Sequence, residues 1–244
     1  MSSRRDHDTI CSDLIRIIDR TGVVLLDFDG PICSIFAGRS AQSIAAELRG
    51  LLLAEGLSLP AQVAGEENPL EVLRFASSLG PALTARVDSA LRAAELVAAR
   101  SARPTPSARE AILACRQTGR IVAVVSNNSA AAIESYLATH NLATDIDLVV
   151  GRADSNPALL KPNPHLIVQA LHALSASPAM CTLIGDSSSD IEGSRAAGVR
   201  SIGYANKPGK RERLIRAGAD AVVTTMAELA SALRGRCERH SASG

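Results

Sequence analysis

From residue 107 to residue 223 the chain alternates short apolar runs with amphipathic stretches, and few folds accept that order. Ile121-Val122-Ala123-Val124-Val125, Asp147-Leu148-Val149-Val150, Cys181-Thr182-Leu183-Ile184, Ser201-Ile202-Gly203-Tyr204 and Ala221-Val222-Val223 read as strands. Most are rich in β-branched residues and bounded by turn formers. Helical spacing at about 107–118, 129–139, 164–174 and 208–217, with a further helix after Asp190, fills the intervals. Strand–helix alternation builds a parallel sheet covered by helices on both faces. One more strand, Val23-Val24-Leu25-Leu26, stands far upstream and runs into Asp27-Phe28-Asp29-Gly30-Pro31. The expected fold class is α/β, a Rossmann-like parallel sheet core.

Between that first strand and the alternating region the pattern changes. Residues 33–103 show no strand periodicity and read as Ala- and Leu-rich helices at about 40–54, 69–79 and 82–101. Arg103-Pro104-Thr105-Pro106-Ser107 reads as a stiff linker. The block is therefore expected to be an α-helical insertion at 33–103, with 1–32 and 104–244 forming the core. Ile10, Leu14, Ile17 and Ile18 predict a short leading helix over 8–20, and the polar tail from Arg234 to Gly244 is expected to fray.

Charge and composition exclude several classes of function. Twenty-six basic against 25 acidic residues leave a net charge of +1, so no global field draws the chain to nucleic acid or an anionic membrane. Aromatic residues are 2% of the chain, too few for a base-stacking platform. Five scattered cysteines without C-x-x-C spacing read as reduced thiols, neither zinc ligands nor disulfides. With no apolar leader in residues 1–8 and no apolar run of membrane-spanning length, the expectation is a cytoplasmic protein with no membrane partner.

In a doubly wound sheet the carboxyl ends of the strands meet along one edge, where ligands bind. Asp27 and Asp29 follow the first strand two residues apart, starting on one side of it, and Gly30 permits a sharp turn. Ser126 and Asn127 follow another strand, just before a helix whose first N–H groups suit an anion. Lys161 offers a point charge in a later loop, and Asp186 and Asp190 follow a third strand. Carboxylates gathered around one point repel unless a cation resolves them, and Mg²⁺ accepts a few carboxylates together with water and substrate phosphate. Such a set can handle a phosphate ester, with one aspartate attacking phosphorus and a neighbouring carboxyl moving protons.

Four stretches in order, VVLLDFDGP, VAVVSNN, LLKPNP and TLIGDSSSD, resemble the motifs of the haloacid dehalogenase superfamily, in its phosphoglycolate phosphatase-like branch. The resemblance runs from about residue 22 to about residue 225. It implies Asp27 as nucleophile and metal ligand, and Asp29 as general acid/base that also offers its backbone carbonyl to the metal. Ser126 and the Asn127 N–H would hold the transferring phosphoryl group, and Lys161 would neutralise it. Asp186 would be a metal ligand, and Asp190 a support that orients Lys161 or a metal-bound water. The implied activity is a Mg²⁺-dependent phosphatase acting on a small phosphorylated metabolite through an aspartyl-phosphate, with the inserted helices at 33–103 as an α-helical cap domain that selects the substrate. Asp29 favours a phosphate ester over a halide, since an oxygen leaving group needs a proton. A phosphomutase of the β-phosphoglucomutase kind and a non-catalytic binding module on the same fold are the alternatives.

Pro31 and Cys33-Ser34 depart from the family pattern beside the first motif, so a relative's substrate does not transfer. Other polar residues read as ordinary surface or core. Arg39, Arg74 and Arg100 are expected on solvated helix faces, Lys207-Pro208-Gly209-Lys210-Arg211-Glu212-Arg213 as a solvated helix start, and Cys33 as buried packing. His140, His165 and His172 share no ligand spacing.

Overall fold

Val23–Leu26 forms a strand because nothing in it seeks water. All four side chains are buried, and neighbouring strands satisfy the backbone on both sides. The computed structural model describes residues 13–235. Within them this strand, β1, is central to a six-stranded parallel sheet of order β5-β4-β1-β6-β7-β8. Its other members are β4 (Ile121–Ser129), β5 (Leu148–Arg152), β6 (Cys181–Gly185), β7 (Arg200–Tyr204) and β8 (Ala221–Val223). The chain winds outward from β1 through β4 to β5, then crosses back to β6 and winds the other way. The reversal puts a crevice at the carboxyl end of β1, where open α/β sheets bind ligands.

Both faces of the sheet are covered, and the period of two decides which side chain goes where. Val24, Leu26, Val122, Val124 and Ile184 enter the larger core; Val23, Leu25, Ala123, Val125 and Leu183 enter the smaller one. Each such Val, Leu or Ile stabilises the fold by about 1.5–3 kcal/mol relative to leaving it exposed. Residues 13–19 are helical (α1); residues 8–12 of the expected leading helix lie outside the described residues. Helices α6 (Ala108–Gln117), α7 (Ala130–Thr139), α8 (His165–Ala173), α9 (Ser188–Ala196) and α10 (Lys210–Ala217) follow the expected alternation. Residues 224–233, unassigned from sequence, supply α11 (Met226–Leu233), which packs on α6. Residues 236–244 of the expected frayed tail lie outside the described residues.

The stretch between β1 and α6 holds helices α2 (Ala41–Ala54), α3 (Ala61–Ala64), α4 (Pro69–Ser78) and α5 (Pro81–Ala99). Two expectations need correction here. Residues 33–103 are not free of strand, and 103–107 is not merely a linker. Cys33–Ser34 (β2) pairs antiparallel with Arg103–Pro104 (β3), and the Thr105 N–H donates to the Ile32 carbonyl at 3.0 Å. Two-residue strands carry no readable periodicity, and Pro104 hides the second one, since proline is tolerated at the edge of a two-stranded ribbon.

Candidate active site

Lys161 is the hub of the crevice. Its side chain is 2% exposed, and all three of its protons are used. Nζ donates to Asp27 Oδ1 at 2.9 Å, to Asp190 Oδ1 at 2.5 Å and to the Val125 carbonyl at 2.9 Å. A buried ammonium so costly to desolvate stays charged because Asp190 and Asp27 hold its pKa above the ordinary lysine value. The backbone beneath it is clamped by Asn127. That side chain accepts from the Lys161 N–H at 2.8 Å and donates to the Lys161 carbonyl at 3.2 Å, so one amide serves as a strand partner for a loop.

Asp190 reaches Lys161 from the first turn of α9, and its second oxygen is also bound. Ser187 donates to Asp190 Oδ2 through its N–H at 3.1 Å and its hydroxyl at 2.6 Å, while accepting from the Asp190 N–H. This is a reciprocal capping box, the signature of a well-defined helix start. Asp29 accepts from the Ile35 N–H at 3.0 Å on Oδ1. Gly30 sits at φ +109°, and a Cβ there would lie 2.4 Å from Asp186 Cγ. The glycine therefore serves two ends, a left-handed turn and room for the Asp186 carboxylate to come close.

Burial shapes the electrostatics. It pushes the Asp27 carboxyl up to about 7, helped by the Asp190 charge and opposed by Lys161. Burial likewise lifts Asp29 to about 6, with the Ile35 N–H, Lys210 and Lys207 pulling the other way. Asp186 is also raised by burial, although the Lys210 ammonium pairs with its Oδ2. Asp27, Asp186 and Asp190 can each bring one carboxylate oxygen within 4.8 Å of the others, the spacing of a cation site. Since Asp190 already has both oxygens engaged, Asp27 and Asp186 are the carboxylates left to face a cation.

The crevice opens into a cavity of about 260 Å³ that brings all seven sequence-derived candidates together: Asp27, Asp29, Ser126, Asn127, Lys161, Asp186 and Asp190. Phe36, Asn68, Pro69, Leu70 and Glu95, from the stretch between β1 and α6, also line it. Two surface expectations fail. Lys210 is not a solvated helix residue but the partner of Asp186. Arg74 is half-buried and donates to the carbonyls of Pro157 at 3.2 Å and Lys161 at 3.4 Å. Arg39 pairs with Glu47, Arg100 is exposed, and neither lines the cavity. Cys33 is buried, and the histidines lie outside the cavity lining, His140 stacking on Tyr136.

Sequence reading missed a second cluster of buried charge. Arg152, at the end of β5, donates through Nε to Asp88 Oδ1 at 2.7 Å and through Nη2 to Glu95 Oε2 at 2.9 Å. Its Nη1 reaches Glu95 Oε1 at 3.1 Å and the Asn127 carbonyl at 2.6 Å. Arg92 closes the group, donating to Asp88 Oδ2 at 2.6 Å and to the Arg152 carbonyl at 2.9 Å. The available signal lay in α5, whose buried stripe runs Thr84, Val87, Asp88, Leu91, Ala94, Glu95, Ala98. Two acids at core positions of an amphipathic helix imply buried partners. The expected anion site at the start of α7 is also altered, because Glu95 Oε2 already accepts from the Ser129 N–H at 2.9 Å.

Comparison with known proteins accords with this geometry. Residues 80–204, half of the chain, match the family model of haloacid dehalogenase-like hydrolases. The chain belongs to that family. The match includes Ser126, Lys161, Asp186 and Asp190, whereas Asp27 and Asp29 precede it. Among haloacid dehalogenase-like relatives, a plasmid phosphoglycolate phosphatase of Cupriavidus necator is 32% identical over 132 residues, 52% of this chain and 54% of that protein. The bifunctional riboflavin kinase/FMN phosphatase of Arabidopsis thaliana is 26% identical over 164 residues, 67% of this chain and 39% of that protein. The chain thus spans about half or less of the length of these curated relatives. A predicted phosphatase from Clostridium acetobutylicum superposes with a TM-score of 0.66 at 19% identity, covering 86% of this chain and 97% of its own. CbbY from Rhodobacter sphaeroides, a variant in complex with xylulose-(1,5)bisphosphate, does so at 0.64 and 19%, covering 85% and 96%. At these identities the likeness establishes the haloacid dehalogenase-like fold. No helix among the described residues is long and apolar enough to cross a membrane.

Proposed function

We propose that this chain is a Mg²⁺-dependent phosphatase that hydrolyses a small phosphorylated metabolite through an aspartyl-phosphate on Asp27. The observation that carries the reading is the Lys161 ammonium shared by Asp27 and Asp190 in a buried crevice where Asp29 and Asp186 also stand. A purely structural ion pair needs no surplus of carboxylates, and a surplus is costly unless something positive joins it.

The donor set fits a hard divalent cation, with Asp27, Asp186 and the Asp29 backbone carbonyl as its protein ligands. When bound, that ion supplies charge to the phosphoryl oxygens and favours the ionised forms of Asp27 and Asp186. The protein's own groups do the rest. One Asp27 oxygen attacks phosphorus, and the bond from phosphorus to the leaving oxygen breaks. Asp29, lifted by burial to about 6, holds a proton for that oxygen and then takes one from the attacking water. Water adds to phosphorus, and Asp27 departs as a carboxylate. Lys161 offsets the charge on Asp27 and on the phosphoryl group, Ser126 and the Asn127 N–H hold the latter, and Asp190 fixes Lys161 in place.

The segment 33–103 serves as the cap, since five of its residues wall the cavity. Its wall contributes no cation: among the described residues Lys161 is the one basic side chain in the lining. That favours a leaving group without an anion of its own, such as a small sugar or polyol, over the carboxylate of phosphoglycolate. Buried free thiols at Cys33, Cys115 and Cys181 support a cytoplasmic setting.

The test is phosphate release across a panel of phosphorylated metabolites with Mg²⁺, run on wild type and Asp27→Asn together, with sugar-phosphate isomerisation followed in parallel. Release by wild type alone supports the reading. A silent wild type favours the binding module, isomerisation without release favours the mutase, and phosphoglycolate ranking first overturns the uncharged leaving group.

A further inference from the structure

The buried cluster around Arg152 touches the crevice at one point. Glu95 lines the cavity, yet both of its oxygens are taken. Oε1 accepts from Asn128 Nδ2 at 3.2 Å and from Arg152; Oε2 accepts from the Ser129 N–H and from Arg152. A carboxylate accepts and does not donate, so it dictates which way the Asn128 amide faces. With Nδ2 turned to Glu95, Oδ1 faces Ser126, whose hydroxyl donates to it at 3.2 Å. The Asn128 N–H in turn donates to Ser126 Oγ at 3.3 Å. A relay of hydrogen bonds therefore runs from α5, inside the inserted helical stretch, to the hydroxyl that borders the phosphate position.

We infer that Glu95 is a positioning residue: it sets the orientation of Ser126 through the Asn128 amide, and Arg152 holds it there. The seat of α5 on the core and the alignment of the phosphate-holding segment are thus one arrangement. Glu95 touches no reacting atom. Its effect reaches the reaction only through Asn128 and Ser126, so the inference rests on their role in holding the phosphoryl group.

The experiment is a double-mutant cycle with Glu95→Gln, Asn128→Ala and the pair, using p-nitrophenyl phosphate with Mg²⁺ and reading kcat and KM separately. Glutamine keeps the shape and one acceptor but lets the Asn128 amide turn over. Each single variant is expected to lose about tenfold in kcat, with KM moving less than about threefold, because Ser126 matters most as charge develops in the transition state. The double variant is expected to lose no more than either single one, as residues acting through each other do. Independent losses that multiply to about a hundredfold would overturn the inference, as would wild-type kcat in either single variant. If Glu95→Gln fails to fold, the same cycle run with Ser126→Ala and Asn128→Ala, which leaves the Glu95–Arg152 pair whole, tests the remaining link on the same terms. A wild type that hydrolyses nothing overturns this inference together with the proposed function. An active wild type with multiplying losses overturns this inference alone.

Discussion

The Arg152 cluster and the Lys161 cluster are both buried and both span distant parts of the chain, but they are completed differently. Around Arg152, two carboxylates (Asp88 and Glu95) meet two guanidinium groups (Arg152 and Arg92), and every carboxylate oxygen has a donor. Around Lys161, four carboxylates (Asp27, Asp29, Asp186 and Asp190) meet two ammonium groups (Lys161 and Lys210). The first group is balanced and holds the fold. The second holds more carboxylates than ammonium groups, and burial first, with the neighbouring carboxylates adding to it, raises Asp27, Asp29 and Asp186. A buried cluster balanced within itself needs no visitor, whereas one left negative is a place for something to arrive.

Substitutions can break that contrast. Asp27→Asn removes the proposed nucleophile while preserving shape, and its expected effect is the largest: turnover falls by at least about a thousandfold with the melting profile retained. Substantial phosphate release by the purified variant would end the assignment. Removing the proposed cation is expected to come next, with EDTA reducing turnover by about a hundredfold or more and Mg²⁺ restoring it. Activity indifferent to EDTA would show that the charge deficit serves another purpose. On the balanced side the expected loss is in stability. Arg152→Met leaves Asp88 and Glu95 short of their main partner and should cost about 3–5 kcal/mol in urea unfolding. A variant as stable as wild type would show that the cluster does not hold α5 in place.

The sequence disclosed these two clusters unequally, and the reason is physical. Asp27, Asp29, Lys161 and Asp186 each follow a strand or open a loop, where a charged residue interrupts an apolar run and stands out. Sheet topology alone then brings them together. Asp88, Arg92, Glu95 and Arg152 meet only because α5 packs beside the ends of β4 and β5, a contact that no local pattern encodes. Lys210 was hidden among solvated neighbours in a basic run, and Arg74 by an ordinary helical position. Of the fold, the long strands and most helices were legible; the two-residue strands β2 and β3 were too short for a period to show.

A smaller effect sharpens the same contrast through pH. Without metal, Asp27 and Asp29 lie at about 7 and about 6, above the ordinary carboxylate value of 3.8. The folded chain therefore binds protons more tightly than the unfolded one. Stability from this source is present at low pH and is lost as pH rises through about 6–7. In the presence of chelator the melting temperature should stand several degrees higher near pH 5 than near pH 8, with a smaller difference in Asp27→Asn. An equal slope in the variant would move its origin away from the crevice.

The pairing of β2 with β3 has a consequence for how such a chain can change. The inserted helices leave and re-enter the core within one backbone hydrogen bond, Thr105 to Ile32. A segment with adjoining ends can be exchanged for another of different length without stretching the sheet. Here, however, a transplanted segment must also bring acids in register to meet Arg152, or leave a guanidinium stranded in the interior. The entry point makes the cassette portable, and Arg152 makes this chain selective about which cassette it accepts.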